Sequence, residues 1–191
     1  MKTTIKKYLV VVLMLGTLVN YANEVSINLV EGKRVRVEYK AVKKGHTLSI
    51  KDENGVIIYK KEIEKSGTFS KIFDLSQLKK GNYTTELEKD FEIIIKDFTV
   101  LDGKVSFKGE KTIFKPVVRT ENNLILISKI AFDKEPLKIS LYYKDEIIFS
   151  ETVTDKDNLF KRVYKVSKQE KGDYRVVLNT NKRSFIKDFN L

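Results

Sequence analysis

The chain has 191 residues, 41% hydrophobic and 33% charged, so it can bury a core in one or two small domains and is not a disordered tail. It has no cysteine and one histidine. That excludes disulfide scaffolds, thiolate zinc sites, cysteine nucleophiles, a lipid-bearing lipoprotein cysteine and any machinery needing two imidazoles.

The N-terminus is predicted to be an address. Lys2, Lys6 and Lys7 precede an apolar run over residues 8–19, which ends in Asn20-Tyr21-Ala22. A basic start, a short apolar stretch and a small residue describe a secretory signal peptide, and the run is too short to span a bilayer. Cleavage after Ala22 removes three of the 37 basic side chains and none of the 26 acidic ones, leaving +8. An exported chain without a transmembrane helix is the expectation.

Past the leader, the hydrophobic period is two. Val35, Val37, Tyr39 and Ala41 alternate with Arg34, Arg36, Glu38 and Lys40, which predicts a strand with one buried face. Tyr83, Thr85 and Leu87 alternate with Thr84, Glu86 and Glu88 in the same way. Turn signals at Glu31-Gly32, Asn54-Gly55, Lys80-Gly81-Asn82 and Asp102-Gly103 separate the strands. Residues 24–101 hold roughly seven strands on this pattern, and 105–107 add another.

A second unit follows. Residues 69–100 align with 160–191 at an offset of 91 without a gap, with ten identities in 32 positions. Leu48-Ser49-Ile50 matches Ile139-Ser140-Leu141, and residues 55–59 match 145–149 after a one-residue slip. Leu124, Leu126, Ile130 and Phe132 keep one parity, while Ile125 and Ile127 fill the other; Tyr174, Val176 and Leu178 oppose Arg175, Val177 and Asn179. Duplication is the simplest account of this. The expected organisation is a signal peptide over 1–22, a first unit over 23–110 and a second over 111–191. The fold class is all-β: tandem immunoglobulin-like antiparallel sandwiches.

Residues 48–59 followed by 73–83 resemble the C-terminal sorting domains of type IX secretion. Leu75, Leu78, Gly81 and Tyr83 fill the Leu-x-x-Leu-x-x-Gly-x-Tyr stretch of those domains. The second unit keeps Val166, Gly172 and Tyr174 but has Gln169 in place of Leu78 and lacks the Asn-Gly turn. The better match is therefore internal. The resemblance implies small immunoglobulin-like sandwiches and export; the chain is also similar to small exported bacterial proteins whose membership implies no activity. Gly81-Asn82-Tyr83 and Gly172-Asp173-Tyr174 further suggest the tyrosine corner of sandwich folds, a structural role.

Candidate chemistry is sparse. His46 follows Lys43-Lys44-Gly45 and is expected on a solvated loop. Asp52-Glu53-Asn54-Gly55 and Asp155-Lys156-Asp157-Asn158 lack the spaced oxygen ligands of a calcium loop, having Ile63 and Val166 at the twelfth position. No nucleophile elbow, metalloprotease helix motif or phosphate-cradling loop occurs. No catalytic residue, cofactor or metal is expected. The remaining clue is charge: residues 23–110 carry 17 basic and 15 acidic side chains, whereas 111–191 carry 17 and 11. Lys161, Arg162, Arg175, Lys182 and Arg183 are the candidate anionic-ligand patch.

The sequence thus points to a non-catalytic exported protein of the periplasm or cell surface that binds or adheres. Strand edges, or end loops at 52–55, 102–104 and 154–158, would meet a protein or anionic glycan partner, with no specific nucleic acid. Two alternatives are a small type IX cargo whose C-terminal unit is a sorting domain, and an accessory protein of an exported enzyme.

Overall fold

The computed structural model describes residues 25–31, 34–102, 104–154, 157–167, 169 and 171–191. The proposed signal peptide lies outside these residues, as do Gly32, Gly103, Asp155 and Lys156 of the expected turns. The described chain is all-β and forms two compact units, with the main change of unit between Gly109 and Glu110 and with Glu88–Ile95 grouped with the second.

The first unit holds β1 (Val25–Glu31), β2 (Arg34–Val42), β3 (Thr47–Asp52), β4 (Ile57–Glu62), β5 (Gly67–Asp74), β6 (Gly81–Glu88) and β7 (Glu92–Leu101). β8 (Lys104–Phe114) runs across the change of unit. One sheet has the order β1-β2-β5 and the other β4-β3-β6-β7-β8. The second unit holds β9 (Val117–Glu121), β10 (Leu124–Ile130), β11 (Leu137–Tyr143), β12 (Glu146–Val153), β13 (Leu159–Lys165), β14 (Asp173–Thr180) and β15 (Arg183–Asn190). Its sheets are β9-β10-β13 and β12-β11-β14-β15. Both units are therefore immunoglobulin-like sandwiches in tandem, with first, second and fifth strands in one layer and the third, fourth, sixth and seventh in the other.

Alternation decides what each sandwich buries. Val35, Val37 and Tyr39 face the first core together with Leu48, Ile50, Phe73, Tyr83 and Leu87. Ala41 departs from the expected pattern: it sits at φ 52, the β2–β5 register shifts there, and Val42 takes the buried place instead. A bulge of this kind moves every later side chain to the other face.

The second core contains Ile125, Ile127, Leu137, Ile139, Leu141, Phe160, Tyr174, Val176 and Leu178. This corrects the expected parity of β10. Ile125, Ile127 and Lys129 point inward, whereas Leu124 and Leu126 are half-buried and Ile130 and Phe132 are exposed. The reason is register: Ile125 pairs with Tyr164 as Val35 pairs with Phe73, so the second strands correspond at an offset of 90, not 91.

The tight hairpins also differ between units. Gly55 adopts φ 80 in the Asn54-Gly55 turn of the first unit. In the second unit Lys144 and Asp145 turn β11 into β12 with φ 49 and 67, and Asn181 and Lys182 turn β14 into β15 with φ 51 and 57. Two successive positive φ angles match the right-handed twist of the strands, a role that sequence patterns assign to Asn-Gly or Asp-Gly.

Candidate functional site

The repeated Gly-x-Tyr stretch is structural in its geometry. The buried Tyr83 hydroxyl donates to the Lys79 carbonyl oxygen four residues upstream at 2.8 Å, the arrangement of a tyrosine corner. Its ring stacks on Phe98 at 5.3 Å, and in the second unit the buried Tyr174 stacks on Phe189 at 5.9 Å. Leu75 is buried, and its carbonyl accepts the Leu78 N–H at 3.1 Å. Val166 is buried and clamped by Asn123: its N–H donates to the Asn123 carbonyl, and its own carbonyl accepts the Asn123 side-chain amide, both at 2.9 Å. Gly81 opens β6 with an ordinary φ, whereas Gly172 sits at φ 143 with Tyr143 3.4 Å from where a Cβ would be.

His46 is not on a solvated loop. It is 6% exposed, and its Nδ1 accepts the Lys43 N–H at 3.1 Å, closing the turn that enters β3. Its counterpart at the offset of 91, Leu137, is buried as well, so the position belongs to the core end of the sandwich. The Asp52 carboxylate accepts the N–H groups of Asn54 and Val56 at 3.0 and 2.9 Å, which makes it a turn former.

The five candidate cations do not form one patch. Lys161 and Arg162 are neighbours on β13, so their side chains leave opposite faces of the sheet. Arg162 lies over the Phe160 ring at 4.8 Å and beside Glu151 at 3.9 Å. Arg175 donates to Asp188 at 2.6 Å and to Asp145 at 3.0 Å, and the hydrogen bond it gives Asp188 raises its pKa above the usual arginine value. It pairs with Asp188 at one end of the β14–β15 hairpin, while Lys182 and Arg183 occupy the other end.

Lys182 and Arg183 instead border a cleft at the loop end of the second unit, of about 970 Å³. The β10–β11 connection contributes Asp133 and Glu135, β11 contributes Lys138, and the β14–β15 hairpin contributes Thr180 and Asn181. Two features of this cleft escaped the sequence pattern. Thr180 is 4% exposed, and its Oγ1 has no hydrogen-bond partner. Lys129, with a side chain only 1% exposed, reaches both Asp133 oxygens at 2.9 and 3.0 Å. Asn181 Nδ2 donates to the same carboxylate at 2.6 Å, and the Glu135 N–H at 3.3 Å. Burial pushes the Asp133 carboxyl up, but these donors outweigh it and hold it below the usual aspartate range. The carboxylate is thus saturated by internal donors, and the outward charges of the cleft are mainly cationic.

Comparison with known proteins bears on the first unit. Residues 31–100 match the family described as the secretion system C-terminal sorting domain. The match falls on the unit whose Leu75, Leu78, Gly81 and Tyr83 carry the motif. No curated protein matches the chain. Among solved structures, the BSP domain of a biofilm-associated protein is 12% identical with a TM-score of 0.28; the match covers 91% of this chain and 31% of that one. A two-domain fibronectin type III segment of chicken tenascin is 13% identical with a TM-score of 0.30, covering 88% and 98% of the two chains. The ligand-binding domain of human OSCAR is 8% identical with a TM-score of 0.26, covering 87% and 96%. Among the described residues no helix is long and apolar enough to cross a membrane.

Proposed function

We propose that the chain is an exported, non-catalytic β-sandwich protein of the periplasm or cell surface that acts by binding, with an acidic glycan as ligand. The observation that carries the reading is the loop-end cleft of the second unit. It combines Lys138, Lys182 and Arg183 with a buried, unbonded Thr180 hydroxyl and an Asp133 carboxylate already neutralised by Lys129. Cations at the rim suit carboxylate or sulfate groups. The sorting-domain match over 31–100 supports export.

The test is titration of the intact chain with polygalacturonate. Lys182→Glu combined with Arg183→Glu is expected to weaken binding at least about tenfold, with affinity falling as salt rises. Equal binding by the double variant would remove the cleft from consideration.

A second reading is a type IX cargo whose C-terminal unit is a sorting domain; the family match lies on the first unit, and the second repeats its strand order. The intact mass of the protein from fractionated cells and medium separates the two. A species spanning 23–191 in the periplasm counts against sorting; a surface species ending near residue 110 would make the second unit the address.

A further inference from the structure

The two sandwiches use the outer face of their three-stranded sheet differently. In β2 and β5 of the first unit, the outward residues Arg34, Arg36 and Glu38 pair with Asp74, Ile72 and Ser70. That face carries two positive and two negative side chains and one apolar one. The matching residues of β10 are Leu124, Leu126 and Ser128, paired with Lys165, Val163 and Lys161 of β13. At the same fold positions the second unit therefore has three apolar side chains, two lysines and no acid. Ile130 and Leu159 pair beyond them and extend the apolar stripe, and Arg119 lies beside Leu126 on β9. Val163 is 60% exposed, Leu159 45% and Ile130 39%.

This stripe lies outside the second core, which Ile125, Ile127 and Phe160 supply from the opposite face. A contiguous aliphatic stripe left in water and bordered by cations marks an interaction site. Its chemistry narrows the occupant. Lys161 and Lys165 alternate with Leu159 and Val163 along one strand, so long aliphatic stems lie beside apolar side chains and carry ammonium groups past them. A second copy of the same face would set these lysines and Arg119 against like charges, with Glu121 as the acid available. Tyrosine and tryptophan, the usual anchors of protein contacts, are missing from the face.

We infer that the outer face of β9-β10-β13 is a docking surface for an anionic lipid layer, with the aliphatic stripe seated at the headgroup boundary and Arg119, Lys161 and Lys165 meeting lipid phosphates. The inference is independent of the loop-end cleft, whose residues lie elsewhere on the second unit.

Vesicle flotation of the chain as secreted by its cells tests it. Vesicles of equal phosphatidylglycerol and phosphatidylcholine are expected to carry the protein at least about tenfold better than phosphatidylcholine alone, since each surface cation adds to anionic binding. Leu159→Ser with Val163→Ser removes the stripe and leaves the charge; Lys161→Glu with Lys165→Glu reverses the charge and leaves the stripe. Each pair is exposed, so folding should survive, and each should cut flotation at least about fivefold, whereas Arg36→Ser in the first unit should not. Flotation unchanged by both pairs, or absent with the anionic vesicles, overturns the inference. So does a dimer in sedimentation that dissociates on Leu159→Ser with Val163→Ser, which would assign the face to a second copy.

Discussion

Two residues that the repeat places in register behave differently because their backbones differ. Gly81 has ordinary φ, and a Cβ there would meet Glu53 and Tyr83 only at an ordinary contact distance of 3.9 Å, whereas Gly172 at φ 143 is in a region that side chains avoid. Gly81→Ala is expected to change stability by less than about 0.5 kcal/mol, and Gly172→Ala to cost about 1–2 kcal/mol in thermal or denaturant unfolding. Lys129 occupies the place that Tyr39 fills in the first unit, and it is tolerated because Asp133 accepts its charge. Asp133→Ala would strand that ammonium and should cost about 2–4 kcal/mol; in a Lys129→Met background the same change should cost far less. The depressed Asp133 pKa adds an acid signature. Its contribution is fully present above the unfolded aspartate value of about 4 and is lost as pH falls through the lower folded value. Asp133→Asn should remove that part of the acid dependence of unfolding.

At the scale of elements, the second unit builds its hairpins from residues that resist the required backbone. Lys182 at φ 57 is strained in a position made for glycine, yet it borders the cleft. Lys182→Gly is therefore expected to stabilise the chain by about 0.5 kcal/mol while weakening polygalacturonate binding, a separation that paired unfolding and binding curves would detect. The sandwich rims are closed alike in both units. Lys71 donates to the Tyr59 hydroxyl at 2.9 Å and lies over its ring, with Phe73 edge-on at 5.0 Å. In the second unit Tyr164 bonds Glu151 and packs on Phe149 at 5.3 Å, and burial followed by that carboxylate raises its pKa. Sequence alternation made the strands legible because one face of each must be apolar. It could not choose the inward face of β10, where both parities are apolar, nor see the bulge at Ala41.

For the whole molecule, charge is divided unequally. Residues 23–110 carry a net +2 and 111–191 a net +6. Acidic-polysaccharide binding should accordingly reside in the second unit and weaken with salt. Reversing Lys138 and Arg183 should reduce it more than reversing Arg34 and Arg36, as measured by salt-dependent retention on an acidic matrix.

The sequence alone determined the all-β class, the spacing of the strands, the sorting-domain likeness and the charge imbalance, because period-two alternation, turn residues and composition are local properties. Which cations share a surface was decided only by tertiary structure. Arg175 looked available until the strand pairing set Asp188 opposite it, Lys161 and Arg162 parted because neighbouring strand residues leave opposite faces, and Lys182 joined Lys138 through a hairpin that brings distant strands together. A linear pattern carries no information about which residues pairing and layering will make neighbours.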